Sequence, residues 1–118
     1  MSLQKYQDCI TACSACAVEC AHCESTCLNE ENIKNLARCI KLTHDCAAIC
    51  LFAMEAMSSA SEFAKQICSL CADMCNTCAL ECEKQTTLEH CLKCAEACRK
   101  CAVECHNMHL MEFAKLNS

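Results

Sequence analysis

The sequence contains no glycine, no proline and no tryptophan, and it has only three phenylalanines and one tyrosine. Glycine and proline are the residues that most readily interrupt a helix. Their absence over 118 residues predicts long helices joined by very short turns. Leucine, isoleucine, valine and phenylalanine together make up fewer than a fifth of the chain. A chain this poor in bulky apolar residues is usually disordered unless something else fills its core.

Cysteine supplies the missing core, because it accounts for 19 of the 118 residues. A reduced cysteine packs as a small hydrophobic residue, so the composition predicts a thin core that is rich in sulfur. The length suits one domain that covers residues 1–118. Since such a core is marginal on its own, we expect a ligand or self-association to add to its stability.

The charge and hydropathy of the chain exclude several partners. A formal charge of −5 provides no basic surface for nucleic acid, and ionised thiols would make the chain still better suited to cations. No stretch approaches 18 uninterrupted apolar residues, so we expect no membrane span. Residues 1–9 have neither the basic nor the apolar region of a signal peptide. We therefore expect a cytoplasmic protein, since the cytosol keeps thiols reduced.

The spacing of the cysteines divides them into four groups. Within the groups there are fifteen gaps, of which fourteen are three or four residues and mostly alternate. The remaining gap is seven residues and lies in the second group, where Thr43 takes the position of the missing cysteine. Alternating spacings of three and four place each group along one face of a helix. The groups are Cys9, Cys13, Cys16, Cys20, Cys23 and Cys27; Cys39, Cys46 and Cys50; Cys68, Cys71, Cys75, Cys78 and Cys82; and Cys91, Cys94, Cys98, Cys101 and Cys105.

Three short polar segments, at residues 28–32, 58–61 and 85–87, predict the turns. In the second of them, Ser59 and Glu62 have the spacing of a helix capping box. Short connections make neighbouring helices antiparallel. The sequence therefore predicts an all-α, up-down-up-down four-helix bundle with a cysteine-lined core. The predicted helices cover about 3–28, 32–57, 61–84 and 88–115.

Disulfide bonds and simple core packing both explain the cysteines poorly. Side chains three or four residues apart on a helix have Cβ atoms about 5–6 Å apart, whereas a disulfide needs about 3.8 Å. An odd number of cysteines also does not suit a complete disulfide framework. Inert packing is disfavoured because leucine fills such positions better and does not oxidise as a thiol does. The interpretation that remains is metal binding.

The identity of the metal follows from the arrangement of the sulfurs. A structural zinc site needs four ligands, whereas one helix face offers two thiolates per turn. Cu(I) is a soft ion that accepts two or three thiolate or thioether ligands. Pairs would hold about nine Cu(I) ions, and bridging thiolates would raise the number towards one per cysteine. A zinc or mixed soft-metal buffer is the alternative. The predicted Cu(I) pairs are Cys9/Cys13, Cys16/Cys20, Cys23/Cys27, Cys46/Cys50, Cys71/Cys75, Cys78/Cys82, Cys94/Cys98 and Cys101/Cys105.

An enzymatic role is the third interpretation. A thiol oxidoreductase needs one cysteine pair that differs from the others in exposure and thiolate character, and no pair has distinctive neighbours here. Ferredoxin-type iron–sulfur clusters are held by a looped cysteine run followed by proline, and the chain contains no proline. We therefore predict that the protein is not an enzyme.

Three copies of a Cys-x-x-Cys-Ala-x-x-Cys motif, at residues 13–20, 68–75 and 91–98, accompany a second helix with only three cysteines. In these features the whole chain resembles the bacterial copper storage proteins, and specifically their cytosolic branch. That family consists of four-helix bundles with cysteine-lined cores. The resemblance implies storage of Cu(I), assembly into a homotetramer and no catalysis. It also implies that all 19 cysteines are the metal ligands.

Methionine and histidine residues mark one end of the predicted bundle as the place where copper would enter. Helices 2 and 4 of an up-down bundle end at the same end. Beyond its last cysteine, helix 2 continues the cysteine face with Met57, and helix 4 continues it with Met108, which lies between His106 and His109. Thioether and imidazole groups both bind copper. The competing interpretation is that the two methionines only close the apolar core.

The other histidines are weaker candidates for metal binding. His44 adjoins the position of Thr43 and is a possible ligand on that account. His22 lies between two cysteines but away from their face, which predicts a surface position. His90 falls in the first turn of helix 4, where it would either close the opposite end of the bundle or be solvated.

Overall fold

The computed structural model describes residues 6–116, and the side chains of residues 6–108. This part of the chain contains helices and turns and no strand. A short 3-10 helix, Ile33–Leu36, precedes the second of the four α-helices. The α-helices are α1 (Gln7–Cys27), α2 (Ala37–Ser58), α3 (Ala64–Glu83) and α4 (Glu89–Leu116).

The four helices form a closed bundle. Each helix packs against the next one along the chain, and α4 returns to pack against α1. The described chain measures 53 × 21 × 18 Å along its principal axes, as expected for four roughly parallel rods. The predicted all-α four-helix bundle is confirmed.

Two helices begin later than the sequence predicted. The second begins as the 3-10 helix and becomes α-helical only at Ala37, and the third begins at Ala64 rather than near residue 61. The predicted capping box of Ser59 and Glu62 is wrong, because the residue that precedes α3 is Phe63 and no side chain caps it. The start of helix 1 predicted near residue 3 lies outside the described residues.

The turn between α2 and α3 explains the late start of α3. The Ser61 N–H donates to the Ala56 carbonyl at 2.8 Å, and the Ala60 N–H donates to the Met57 carbonyl at 3.2 Å. These two bonds form a Schellman motif, in which the residue after the helix adopts a left-handed conformation. Glycine normally takes that position, but here Ala60 does, with φ of 54°. The motif uses residues 59–61, so α3 starts beyond them.

The inner faces of the helices carry cysteine and alanine almost throughout. All 19 cysteines are buried, and the space beside them is filled by small alanines such as Ala53 and Ala79. None of the helices in the described part of the chain has the length and hydropathy that a membrane span requires. The larger side chains in the core lie mostly towards its ends: Tyr6, Leu36, Ile49, Met57 and Met108.

Candidate metal centre

All 19 cysteines carry free thiols, and the most exposed of them, Cys9 and Cys68, have only 1% of their surface accessible. The closest Sγ–Sγ contacts are 3.5 Å, for example between Cys39 and Cys82, whereas a disulfide bond measures about 2.05 Å. The interior is therefore a concentrated set of unmodified sulfur donors. This arrangement does not support the disulfide interpretation.

Most of these thiols belong to one continuous structure, which we call the thiol column. Its members are linked by Sγ–Sγ contacts of 3.5 to 4.0 Å that run from α1 through α2 and α3 to α4. The cysteines of the column are Cys9, Cys13, Cys16, Cys20, Cys46, Cys50, Cys71, Cys75, Cys94, Cys98, Cys101 and Cys105.

The remaining thiols extend the column. Cys78 lies beside it, with its Sγ within 4.8 Å of those of Cys20, Cys94 and Cys98. Cys68 interacts with Cys9 and Cys105 at one end of the column. At the other end, Cys39 pairs with Cys82 and a separate trio contains Cys23, Cys27 and Cys91. Every cysteine that the sequence nominated thus lies in a single sulfur-lined interior.

The sulfur separations match sites of three or four ligands. With metal–sulfur bonds of about 2.3 Å, two sulfurs on opposite sides of an ion lie about 4.6 Å apart, while three or four around it lie about 3.8–4.0 Å apart. Contacts between helices are as short as those within one helix, which sequence spacing alone does not reveal. Four of the predicted intrahelical pairs have Sγ–Sγ distances of 3.8–3.9 Å: Cys16/Cys20, Cys23/Cys27, Cys71/Cys75 and Cys101/Cys105.

The four-thiol groups in the core share their members. Cys16 and Cys46 belong to one group with Cys50 and Cys75, and also to another with Cys20 and Cys98. Within each group the sulfurs all lie within 4.8 Å of one another. Sharing of this kind does not produce separate tetrahedral sites. It suits ions that are bridged by common thiolates.

Thr43 interrupts the contribution of α2 to this arrangement. The group of Cys20, Cys78, Cys94 and Cys98 draws on α1, α3 and α4 only. The side chain of Thr43 is completely buried, and its Oγ1 donates to the carbonyl oxygen of Cys39 at 2.9 Å. The hydroxyl is therefore satisfied by its own helix, and no α2 sulfur lies between Cys39 and the next cysteine of that helix.

The thiols control one another's protonation through hydrogen bonds. Hydrogen bonding to Cys16, together with burial, raises the pKa of Cys98. Burial raises the pKa of Cys27. Hydrogen bonds from neighbouring thiols lower the pKa of Cys16, and the bond with Cys101 has the largest effect. The metal-free interior thus retains a set of strongly held protons, which a metal ion must displace when it binds thiolates.

Comparison with known proteins agrees with this arrangement. The family model described as copper storage protein matches residues 2–110. A protein of Bacillus subtilis (strain 168), described as uncharacterized cysteine-rich protein YhjQ, is 44% identical over 90 residues, which are 75% of this chain and 82% of the relative. This chain belongs to the copper storage protein family.

Two solved copper storage proteins have the same fold. The Cu(I)-bound Bacillus subtilis protein BsCsp3 is 45% identical with a TM-score of 0.84, and the match covers 87% of this chain and 96% of that one. A cytosolic copper storage protein of Streptomyces lividans, studied with five coppers, is 31% identical with a TM-score of 0.88. That match covers 92% of this chain and 94% of the Streptomyces protein.

One end of this copper storage protein has a nitrogen donor among its sulfurs. The Nδ1 atom of His90 lies 3.5 Å from the Sγ of Cys23, 3.6 Å from that of Cys91 and 4.0 Å from that of Cys27. The side chain of His90 is 12% exposed, so it closes this end and still reaches solvent. The sequence left this histidine undecided between closure and solvation. The sequence feature that could have indicated its place beside the thiols is its position directly before Cys91.

The opposite end contains the two predicted methionines. Met57 is 1% exposed and Met108 is 7% exposed, so both lie against the core. The side chain of His106 is exposed, and that of His109 lies outside the described residues. His44 is also on the surface, where its Nδ1 pairs with a carboxylate oxygen of Glu24 at 3.0 Å. His44, a weaker candidate for a ligand, therefore lies away from the buried thiols.

Proposed function

We propose that this protein stores Cu(I), with many ions held by the cysteine thiolates inside the bundle. The observation that carries the proposal is the thiol column, in which twelve buried sulfurs form an unbroken series of contacts of 3.5–4.0 Å. Cu(I) prefers soft thiolate ligands and accepts low coordination numbers. A continuous series of shared sulfurs therefore accommodates far more Cu(I) ions than isolated four-ligand sites would. The ions are the cargo of the protein.

A zinc or mixed soft-metal buffer is the second candidate, and one observation favours it. Cys23, Cys27, Cys91 and His90 provide the three thiolates and one imidazole of a common tetrahedral zinc site. Elsewhere in the core, however, the four-thiol groups share cysteines such as Cys16. Zinc at one shared group removes ligands from the next, so the core would hold few zinc ions.

We propose that all 19 cysteines are ligands, and a variant of the central layer tests this assignment. Simultaneous Cys16→Ala, Cys46→Ala, Cys75→Ala and Cys98→Ala substitutions remove the Cys16 sulfur and the three sulfurs of other helices that contact it. Because the expected capacity lies between one Cu(I) per two cysteines and, with bridging thiolates, one per cysteine, we expect a loss of about two to four bound Cu(I) per chain. The measurement is copper per chain after anaerobic loading and gel filtration.

The matched control is Thr43→Ala, which alters the same interior but removes no sulfur. We expect this variant to bind as much copper as the wild type. Circular dichroism checks that both variants keep their helices. Undiminished copper binding by the four-cysteine variant, with its helices intact, would show that the central thiols are not ligands.

We also propose that copper enters at the end that Met57, Met108, His106 and His109 mark. The burial of both methionines against the core supports this, since their thioethers are weak Cu(I) ligands that could pass the ion to thiolates. Met57→Leu with Met108→Leu should slow copper loading several-fold and leave the capacity unchanged, as stopped-flow absorbance would show. Met74→Leu, on the outer surface between α2 and α3, is the control. An unchanged loading rate in the double variant refutes this route.

We propose that the protein is located in the cytosol, assembles into a homotetramer and has no catalytic role. The Streptomyces relative is described as cytosolic, and free thiols need a reducing compartment. Leu51, Phe52 and Leu70 are each about half exposed, and such residues are suited to contacts between subunits. We propose neither a nucleic-acid partner nor a membrane partner, consistent with the net charge of −5.

A further inference from the structure

Glu30 contacts His90 from a turn of the chain 60 residues away. One carboxylate oxygen, Oε1, lies 3.2 Å from His90 Nε2, and the side chain of Glu30 is 33% exposed. The backbone N–H of Glu30 donates to the carbonyl oxygen of Cys27 at 3.1 Å. The turn that follows α1 therefore fixes Glu30 beside one of the thiols that His90 contacts.

The carboxylate determines which nitrogen of His90 carries a proton. A neutral imidazole has one N–H group and one bare nitrogen, and an ionised carboxylate only accepts hydrogen bonds. When its ring is neutral, His90 therefore donates from Nε2 to Glu30, and its Nδ1 keeps a free lone pair. That lone pair lies on the side of the ring that faces Cys23, Cys27 and Cys91. Histidines that bind metals are commonly oriented by a carboxylate in this way.

We propose that Glu30 is a positioning residue that holds His90 with Nδ1 ready to bind a metal ion together with the Cys23, Cys27 and Cys91 sulfurs. Where that ion is taken to be Cu(I), the inference rests on the proposed function. The three Sγ–Sγ distances are 3.7, 3.8 and 3.9 Å, and the Nδ1–Sγ distances are 3.5–4.0 Å. These separations surround an ion whose bonds are about 2.3 Å to sulfur and about 2.0–2.1 Å to nitrogen.

This site differs from the rest of the store in being open to water. The cleft outside His90 has a volume of about 410 Å³ and is lined by Glu30, His22, Glu89 and Lys93 among others. Of the four donors in the site, the three cysteines are completely buried, and His90 alone reaches this cleft. Glu30 therefore acts at the point where an ion in this site is closest to solvent.

Nitrogen-15 NMR of the histidine rings tests the proposal in the full-length chain. In the metal-free wild type we expect His90 to carry its proton on Nε2 and not on Nδ1. During titration with chelator-buffered Cu(I), we expect the Nδ1 resonance to shift on coordination. Glu30→Ala should require about 10–100-fold more free Cu(I) for the same shift, which is the usual effect of removing a residue that orients a metal-binding histidine. The variant's total copper should be nearly unchanged.

Further variants separate positioning from a general effect on the turn. Glu30→Gln keeps an oxygen that can accept from Nε2 and should restore much of the affinity. Glu31→Ala alters the exposed neighbouring carboxylate and should behave as the wild type. In a His90→Ala background, Glu30→Ala should have no further effect on copper affinity, because the residue that it orients is absent.

Several results would overturn the proposal. One is a proton on Nδ1 of His90 in the metal-free wild type. Another is coordination at the same free Cu(I) in Glu30→Ala as in the wild type. Equal losses in Glu30→Ala and Glu31→Ala would also overturn it. Failure of the storage function has a different signature, namely little copper bound by every variant, including the wild type. In that case the proton position and a Zn(II) titration of the same variants decide the role of Glu30.

Discussion

Loading the metal-free protein with Cu(I) is expected to raise its unfolding temperature by tens of degrees. The reason lies in the core, whose interior faces carry cysteine and alanine and which contains few large side chains apart from Leu36, Ile49 and Met57. Small side chains remove little apolar surface from water, so the hydrophobic contribution to the free energy of unfolding is small. Bound metal supplies the missing stability.

The size of the effect follows from ligand linkage. An ion that binds only the folded state at about 1,000 times its dissociation constant adds about 4 kcal/mol to the free energy of unfolding. A few such ions equal the total stability of an ordinary domain, which is about 5–15 kcal/mol. Each additional kcal/mol raises the unfolding temperature of a domain of this size by several degrees.

Differential scanning calorimetry under anaerobic conditions measures this effect. The control is the loaded protein after its copper has been removed with a strong chelator, which should return to the low unfolding temperature. Thr43→Ala should show the same increase on loading as the wild type, because Thr43 supplies no sulfur to the core. Equal unfolding temperatures with and without copper would mean that the ions do not bind inside the bundle.

Alkaline pH is expected to destabilise the metal-free protein strongly and to affect the copper-loaded protein much less. Hydrogen bonds raise the pKa of Cys20 and of Cys98, the bond with Cys16 having the largest effect on each, and burial adds to the increase. Burial also raises the pKa of Cys27. In the unfolded chain these thiols titrate near pH 8.5. Their folded-state pKa values lie higher, so the stability that they contribute is complete below about pH 8.5 and is lost as the pH rises further.

The slope of this loss depends on the number of protons that the folded state retains. Each retained proton changes the free energy of unfolding by about 1.4 kcal/mol per pH unit. Two or three retained protons therefore remove about 3–4 kcal/mol between pH 9 and pH 10, a large fraction of the stability of a small domain. In the loaded protein copper has already displaced the protons, so the slope should be close to zero.

Chemical denaturation at a series of pH values, without oxygen and with a thiol-free reductant, measures the slope. The buried carboxylate of Glu81 does not contribute to this slope. Its ion pair with Arg38 lowers its pKa, so Glu81 stays ionised throughout the alkaline range. A metal-free protein that is as stable at pH 10 as at pH 8 would show that its thiols ionise as easily in the folded state as in the unfolded chain.

The cysteine spacing predicted the fold and the contents of the core, because one physical rule connects them. Side chains at alternating spacings of three and four share a helix face, and four such faces can be buried together only in a bundle. The one seven-residue gap in the spacing, where Thr43 replaces a cysteine, also corresponds to a structural difference, since α2 contributes no sulfur at that level of the core.

Two features could not be predicted from spacing, because they depend on contacts between helices. Spacing identified pairs such as Cys16/Cys20, whereas the structure adds contacts of the same length from Cys16 to Cys46 and Cys98 on other helices. The contact between Glu30 and His90 joins a turn to a helix start 60 residues further on. No local pattern in the sequence connects these two residues.

The left-handed turn at Ala60 was missed for a different reason. Sequence signals for that conformation depend on glycine or asparagine, and Ala60 is neither. The serines around it instead indicated a helix start, and α3 begins three residues later than that signal predicted.

An anaerobic titration of the reduced protein with Cu(I), in the presence of a competing chromogenic chelator, tests storage most directly, with a parallel titration with Zn(II). The thiol column predicts that the protein outcompetes the chelator for many Cu(I) equivalents per chain and that it binds only a few zinc ions. Binding of only one or two Cu(I) ions, with zinc bound at about one ion per four thiols, would contradict the account and identify a zinc buffer.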